Sequence, residues 1–193
     1  MTGRIKSEFS RNVLVLMTGT TIAQAIPIAI SPILTRLYSP EDFGLFALFI
    51  AVSSIIASVS NASYEQAIVL PKKNIDAINI FALGFIINIF ITIISLTFII
   101  ISHDLIVEFL RNKEISIWLY AVPFVVFLTG TFNLLIFFNN RLKNYKDMAR
   151  ASIYKSIVNA IVQLIFVFFK SGVFGLISGR IFSQIVSNTK LFF

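Results

Sequence analysis

Four stretches of this sequence, residues 12–35, 43–64, 77–102 and 115–140, contain no Lys, Arg, Asp, Glu or His. A helix rises about 1.5 Å per residue, so roughly 20 such residues cross a hydrocarbon layer about 30 Å thick. Each stretch is therefore long enough to span a membrane. Residues 152–169 and 173–192 are mostly apolar as well, around Lys155 in one and Arg180 and Lys190 in the other. These predict two further spans, with Lys155 near an end where it can snorkel and Arg180 a true intramembrane charge. The expected fold class is an all-α, polytopic bundle of six transmembrane helices forming one unit over residues 1–193. The connections, about 36–42, 65–76, 103–114, 141–151 and 170–172, are too short for another domain.

Composition supports the same class. Of the 193 residues, 57% are hydrophobic and 13% charged, about half the charge that a soluble surface requires. An outer-membrane barrel needs strict alternation of polar and apolar residues. The run Ile86, Ile87, Asn88, Ile89, Phe90, Ile91 does not alternate. Ala23-Gln24-Ala25 resembles a signal-peptide cleavage site, but the apolar stretch continues to Leu34. With no Cys in the chain, disulfides and thiolate chemistry are excluded.

The net charge of +7 reads as topology, not as a nucleic-acid surface. Eleven of the 16 Lys and Arg fall on the side of the N-terminus when the six spans alternate, and four on the other. That bias predicts a cytoplasmic N-terminus and C-terminus. Residues 141–155 carry five of these cations and face anionic headgroups in this arrangement.

Several spans carry one polar face at helical spacing. The sets are Thr20, Gln24, Pro27 and Ser31; Ser54, Ser58, Asn61 and Glu65; Asn88, Thr92 and Ser95; Ser152, Ser156, Asn159 and Gln163; and Arg180, Gln184 and Ser187. Such groups serve either as packing glue between helices or as the lining of a hydrated path. Arg180 sharpens the second reading, because an intramembrane guanidinium needs something anionic or hydrated in front of it. The plainer reading is an ion pair with Glu65. Ser39, Pro40, Glu41 and Asp42 predict a helix start, with Ser39 as N-cap and Pro40 in the first turn.

Enzyme signatures are missing. His103 is the only histidine, in an outer loop beside Asp104. No phosphate-cradling Gly loop occurs, and no carboxylate pair is placed for glycosyl transfer. No catalytic residue, metal or cofactor is expected.

The string PILTRLYSPEDFG over residues 32–44 resembles the helix 1–helix 2 junction of Wzx-type polysaccharide and O-antigen flippases. These belong to the multidrug/oligosaccharidyl-lipid/polysaccharide superfamily. YEQAIVLPK over 64–72 is similar to the end of helix 2 in that family, and GLISGRIFSQ over 175–184 to its sixth helix. The resemblance implies the N-terminal lobe of a two-lobed carrier with a central cavity open alternately to either side. Its implied substrate is an undecaprenyl-diphosphate-linked oligosaccharide, moved outward across the bacterial cytoplasmic membrane. The expected partners are that lipid-linked sugar, the bilayer, and a second lobe or another copy, because the second lobe is absent here. The substrate-contact residues expected on this reading are Arg180, Gln184, Gln24, Asn61, Glu65 and Arg36. A cation-coupled multidrug exporter of the same superfamily and a truncated, non-transporting membrane protein are the alternatives.

Overall fold

A computed structural model describes the backbone of residues 2–169 and 171–193, with side chains from residue 11 onward. Every element is helical: α1 (Thr2–Leu37), α2 (Pro40–Val59), α3 (Tyr64–Ala67), α4 (Asn74–Ile101), α5 (His103–Leu110), α6 (Ile115–Leu119), α7 (Val122–Arg141), α8 (Tyr145–Phe168) and α9 (Val173–Phe192). Among the described residues, five segments are long and apolar enough to cross a membrane: Arg11–Leu37, Pro40–Val59, Asn74–Ile101, Ile115–Arg141 and Tyr145–Phe168. Their outward surfaces carry Ile28, Ile55, Ile86, Ile101 and Ile117, all more than 60% exposed. An apolar surface of this extent needs lipid, not water, as its solvent. The chain is an all-α membrane protein.

The sixth expected span, residues 173–192, forms α9 over those same residues but is not among the five apolar ones. Its place in the bundle explains this. α9 is flanked by α7 and α8 and touches α2. Gly175, Ser178, Gly179, Ser183 and Ser187 are all buried there. Small residues let helices approach closely where lipid is excluded, and they lower hydropathy as they do so.

Two seams hold the bundle. α1 and α9 both pack along α8. At the first contact Gly19 lies so close to Ala149 that a Cβ at residue 19 would collide with it. The second seam joins α4, α2 and α9 to α7, the most deeply buried of the apolar segments. Leu45, Phe49, Leu119, Val122, Val126 and Ile177 form its core at one end.

The start of α2 follows the sequence reading. The Asp42 N–H donates to Ser39 Oγ at 3.1 Å, the Ser39 N–H donates to Asp42 Oδ2 at 3.0 Å, and Pro40 occupies the first turn. The box satisfies two donors that the helix leaves unpaired.

Other boundaries move. The span expected over 43–64 stops at Val59, and Ala62 and Ser63 take left-handed backbone conformations, with φ of 47° and 61°. The chain resumes as the single turn α3. The span expected over 115–140 divides at residues 120–121 into α6 and α7. The connection 103–114 contains α5, and most of the basic connection 141–151 is the first turns of α8.

Candidate functional site

Arg180 is the eighth residue of α9 and opens onto a cavity of roughly 220 Å³ between α2, α7 and α9. Ser53, Ser54 and Ser58 line it from α2, and Thr129 and Asn133 from α7. The three serines donate to carbonyls of their own helix, Phe49, Ala51 and Ile55. Their donors are spent locally, and each hydroxyl keeps lone pairs for a ligand or water. Arg180 Nε is buried with no hydrogen-bond acceptor among the described residues.

No ion pair joins Arg180 to Glu65. The described pairs are His103 with Asp104 at 3.1 Å, and Asp147 with Lys190 at 3.7 Å and Arg150 at 3.8 Å. A desolvated guanidinium without a counter-charge costs several kcal/mol. The cavity therefore presents a cation with no acidic partner among the described residues.

A second cation stands in the same region, and sequence reasoning misplaced it. Because α8 begins at Tyr145, Lys155 lies about 15 Å into the helix and not near its end. Its Nζ sits 4.0 Å from the centroid of the Phe132 ring, a cation–π contact. It is within electrostatic range of Arg180. The signal was available in the sequence. Lys155 precedes Asn159 by four residues and follows Ser152 by three, so it shares their polar face.

The remaining expected residues divide by environment. Gln184 is 1% exposed, and its Nε2 donates to Leu128 O at 3.3 Å, beside Asn188 Nδ2 donating to the same carbonyl at 2.9 Å. Asn61 is 2% exposed, and its Nδ2 donates to Gly130 O at 2.9 Å. Both amides tie neighbouring helices to α7. Glu65 is partly buried, with Oε2 fully enclosed. Gln24 and Arg36 lie on the exposed side of α1, as do Pro27 and Ser31.

The polar stripes consequently do not all surround one lumen. Asn88 on α4 and Gln184 on α9 turn inward onto α7. Gln24, Pro27 and Ser31 on α1, with Ser54 and Ser58 on α2, remain on open surface. His103, outside the long apolar helices, stacks on Tyr120 and hydrogen-bonds Asp104, which raises its affinity for a proton.

A family model described as polysaccharide biosynthesis protein matches residues 33–193. Comparison with curated proteins and with solved structures gives no match.

Proposed function

The chain belongs to the polysaccharide biosynthesis protein family, and on that premise we propose that it is one lobe of a Wzx-type flippase. It carries undecaprenyl-diphosphate-linked oligosaccharides outward across the bacterial cytoplasmic membrane, with its N-terminus cytoplasmic. It acts as a carrier and not an enzyme, and works with a second lobe or another copy. The observation that supports this reading is Arg180, buried at its Nε, without an acidic partner among the described residues, and facing a cavity rimmed by hydroxyl and amide side chains.

The chemistry of the cargo fits that arrangement. A diphosphate is the one strongly anionic part of a lipid-linked sugar. A guanidinium forks onto phosphate oxygens in a bidentate way that an ammonium cannot match. Lys155 adds a second positive charge without adding geometry. The hydroxyls of Ser53, Ser54 and Ser58 offer hydrogen bonds that sugars can replace with their own, and the prenyl tail stays in lipid.

The test is made in the complete carrier, in cells that depend on it for surface polysaccharide. Arg180→Ala is expected to abolish surface polysaccharide at normal membrane abundance, and Arg180→Lys to restore part of it. Normal export from Arg180→Ala at normal abundance would refute the proposal. Loss of abundance with unchanged export per molecule would assign Arg180 a packing role.

A further inference from the structure

A basic cluster apart from the Arg180 cavity lies on the seam between α1 and α8. The two helices run in the same direction. Gly19 meets Ala149, and further along both the hydroxyl of Tyr38, just past the end of α1, donates to Gln163 O at 2.7 Å. The starts of the two spans therefore lie at one end of the bundle, with Arg11 on α1 and Lys146 on α8. Of the five cations between residues 141 and 155, Arg141 is engaged by carbonyls and Lys155 lies on the Phe132 ring. Lys146 and Arg150, one helical turn apart, instead line a groove of roughly 490 Å³ together with Arg11. All three are exposed.

Away from the cations the groove is apolar. Leu14, Val15 and Ile22 line it from α1 and Ile153 from α8, and no acid is among its lining residues. Its one uncharged polar side chain, Thr18, donates its hydroxyl to Leu14 O at 2.7 Å, a bond within α1. Gly19 and Ala149 approach too closely to admit a Cβ at residue 19, so the helices close the floor. From Arg11 to Ile22 the lining runs about 16 Å at about 1.5 Å per residue, about half of a hydrocarbon layer about 30 Å thick. The groove is thus one leaflet deep, charged at the membrane surface and apolar beneath it. Asp147, beside Lys146 in sequence, is shared by Arg150 at 3.8 Å and Lys190 at 3.7 Å. One carboxylate between two cations leaves an excess of positive charge at this end among the described residues.

We propose that the α1–α8 groove binds an anionic diacyl phospholipid with a single phosphate, of the phosphatidylglycerol class. The phosphate sits between Arg11 on one helix and Lys146 and Arg150 on the other, and one acyl chain follows the apolar floor. Basic pockets between helices at a membrane surface select anionic headgroups, and guanidinium groups fork onto phosphate oxygens. A choline headgroup brings its own cation to the phosphate and gains less there. Held against both helices, the lipid fastens the first span to α8. The site stands whether or not the Arg180 cavity carries a sugar lipid.

The full chain in phosphatidylcholine nanodiscs, doped with phosphatidylglycerol bearing a diazirine in one acyl chain, tests it. After irradiation, mass spectrometry should place the cross-links within residues 14–22 and 149–153. Unlabelled phosphatidylglycerol should compete, and added phosphatidylcholine should not. Lys146→Gln/Arg150→Gln should lower cross-linking there about tenfold, and Arg11→Gln by less. Arg111→Gln/Lys113→Gln removes the same charge from exposed cations elsewhere and should label as the parent does. Cross-links spread evenly over the lipid-facing helices, or equal competition by phosphatidylcholine, overturn the site. So does unchanged labelling in Lys146→Gln/Arg150→Gln. Stronger displacement by undecaprenyl diphosphate than by phosphatidylglycerol would assign the groove to the cargo and overturn it as a phospholipid site.

Discussion

Arg141 Nη1 donates to the carbonyl oxygen of Pro71 at 2.6 Å. The same guanidinium reaches Ile68 O at 3.3 Å, Lys73 O at 3.2 Å and Asn74 Oδ1 at 3.2 Å. The three carbonyls belong to the α3–α4 connection, where the chain forms no regular helix, and Asn74 is the first residue of α4. The last residue of α7 thus holds down the segment that follows α3 and begins α4.

Removing this fork should release the connection. Hydrogen bonds to a charged group contribute about 1.5–3 kcal/mol each, and at a partly exposed site the loss for Arg141→Ala is expected near 2–3 kcal/mol in all. Arg141→Lys should recover only part, since an ammonium cannot span four acceptors in one plane. Trypsin is the direct probe, because Lys72 and Lys73 lie within the restrained segment and are exposed. Cleavage there should be slow in the parent chain and fast in Arg141→Ala. Equal rates would show that the connection is held by other contacts.

Tyr38 links the α1–α2 turn to α8 through a hydrogen bond from its hydroxyl to Gln163 O, 2.7 Å long. The phenol is buried at 5% exposure, and burial, reinforced by the nearby Asp42 charge, pushes its pKa up to about 12 from 10.0. An acid whose folded pKa is raised stabilises the fold while protonated. Its contribution is therefore complete below pH 10 and is lost as pH climbs from 10 towards about 12. Ultraviolet titration should show one of the five tyrosines ionising late, and Tyr38→Phe should remove that late step. Simultaneous ionisation of all five would contradict the burial of this phenol.

What the sequence revealed about the fold came from charge-free length. Residues 12–35 and 77–102 read as helices because no charge interrupts them; α1 contains the first, and α4 covers the second up to Ile101. The α2 cap was equally legible, since Ser39, Pro40 and Asp42 each carry a local preference that needs no partner. The break after Val59 was not. Ser60, Asn61, Ala62 and Ser63 include no Gly or Pro, and the turn is held by distant residues, with Asn61 reaching Gly130 across 69 positions. The candidate site was half legible for the same reason. Periodicity identified Arg180 as a buried charge, but could not tell whether a polar stripe faces a neighbouring helix or open surface. Gln184 and Asn61 give their amide donors to α7, while Gln24 and Arg36 stay outside. Lys155 was misplaced because the start of α8 was set by apolarity. The helix begins seven residues earlier, among charged residues of its first turns.

Lys155 and Arg180 together give the sharpest separation between packing and transport. Two cations within electrostatic range repel each other, and each loses hydration without a described acid to offset it. If they are kept for an anionic cargo, they should cost stability whenever that cargo is absent. Lys155→Met removes one charge, preserves most of the volume, and keeps a favourable contact on the Phe132 ring, because a thioether also packs well against aromatics. The variant is therefore expected to be more stable than the parent without substrate, by about 1 kcal/mol, or roughly 2–4 °C in Tm for a chain of this size. Surface polysaccharide should fall in the same variant. This is the trade-off of a site held under electrostatic strain for function. A packing role for Lys155 predicts the opposite pairing, with lower Tm and export unchanged per folded molecule. Thermal unfolding of the purified variant, measured beside surface polysaccharide at matched membrane abundance, distinguishes them. A lower Tm with intact export would remove Lys155 from the transport path.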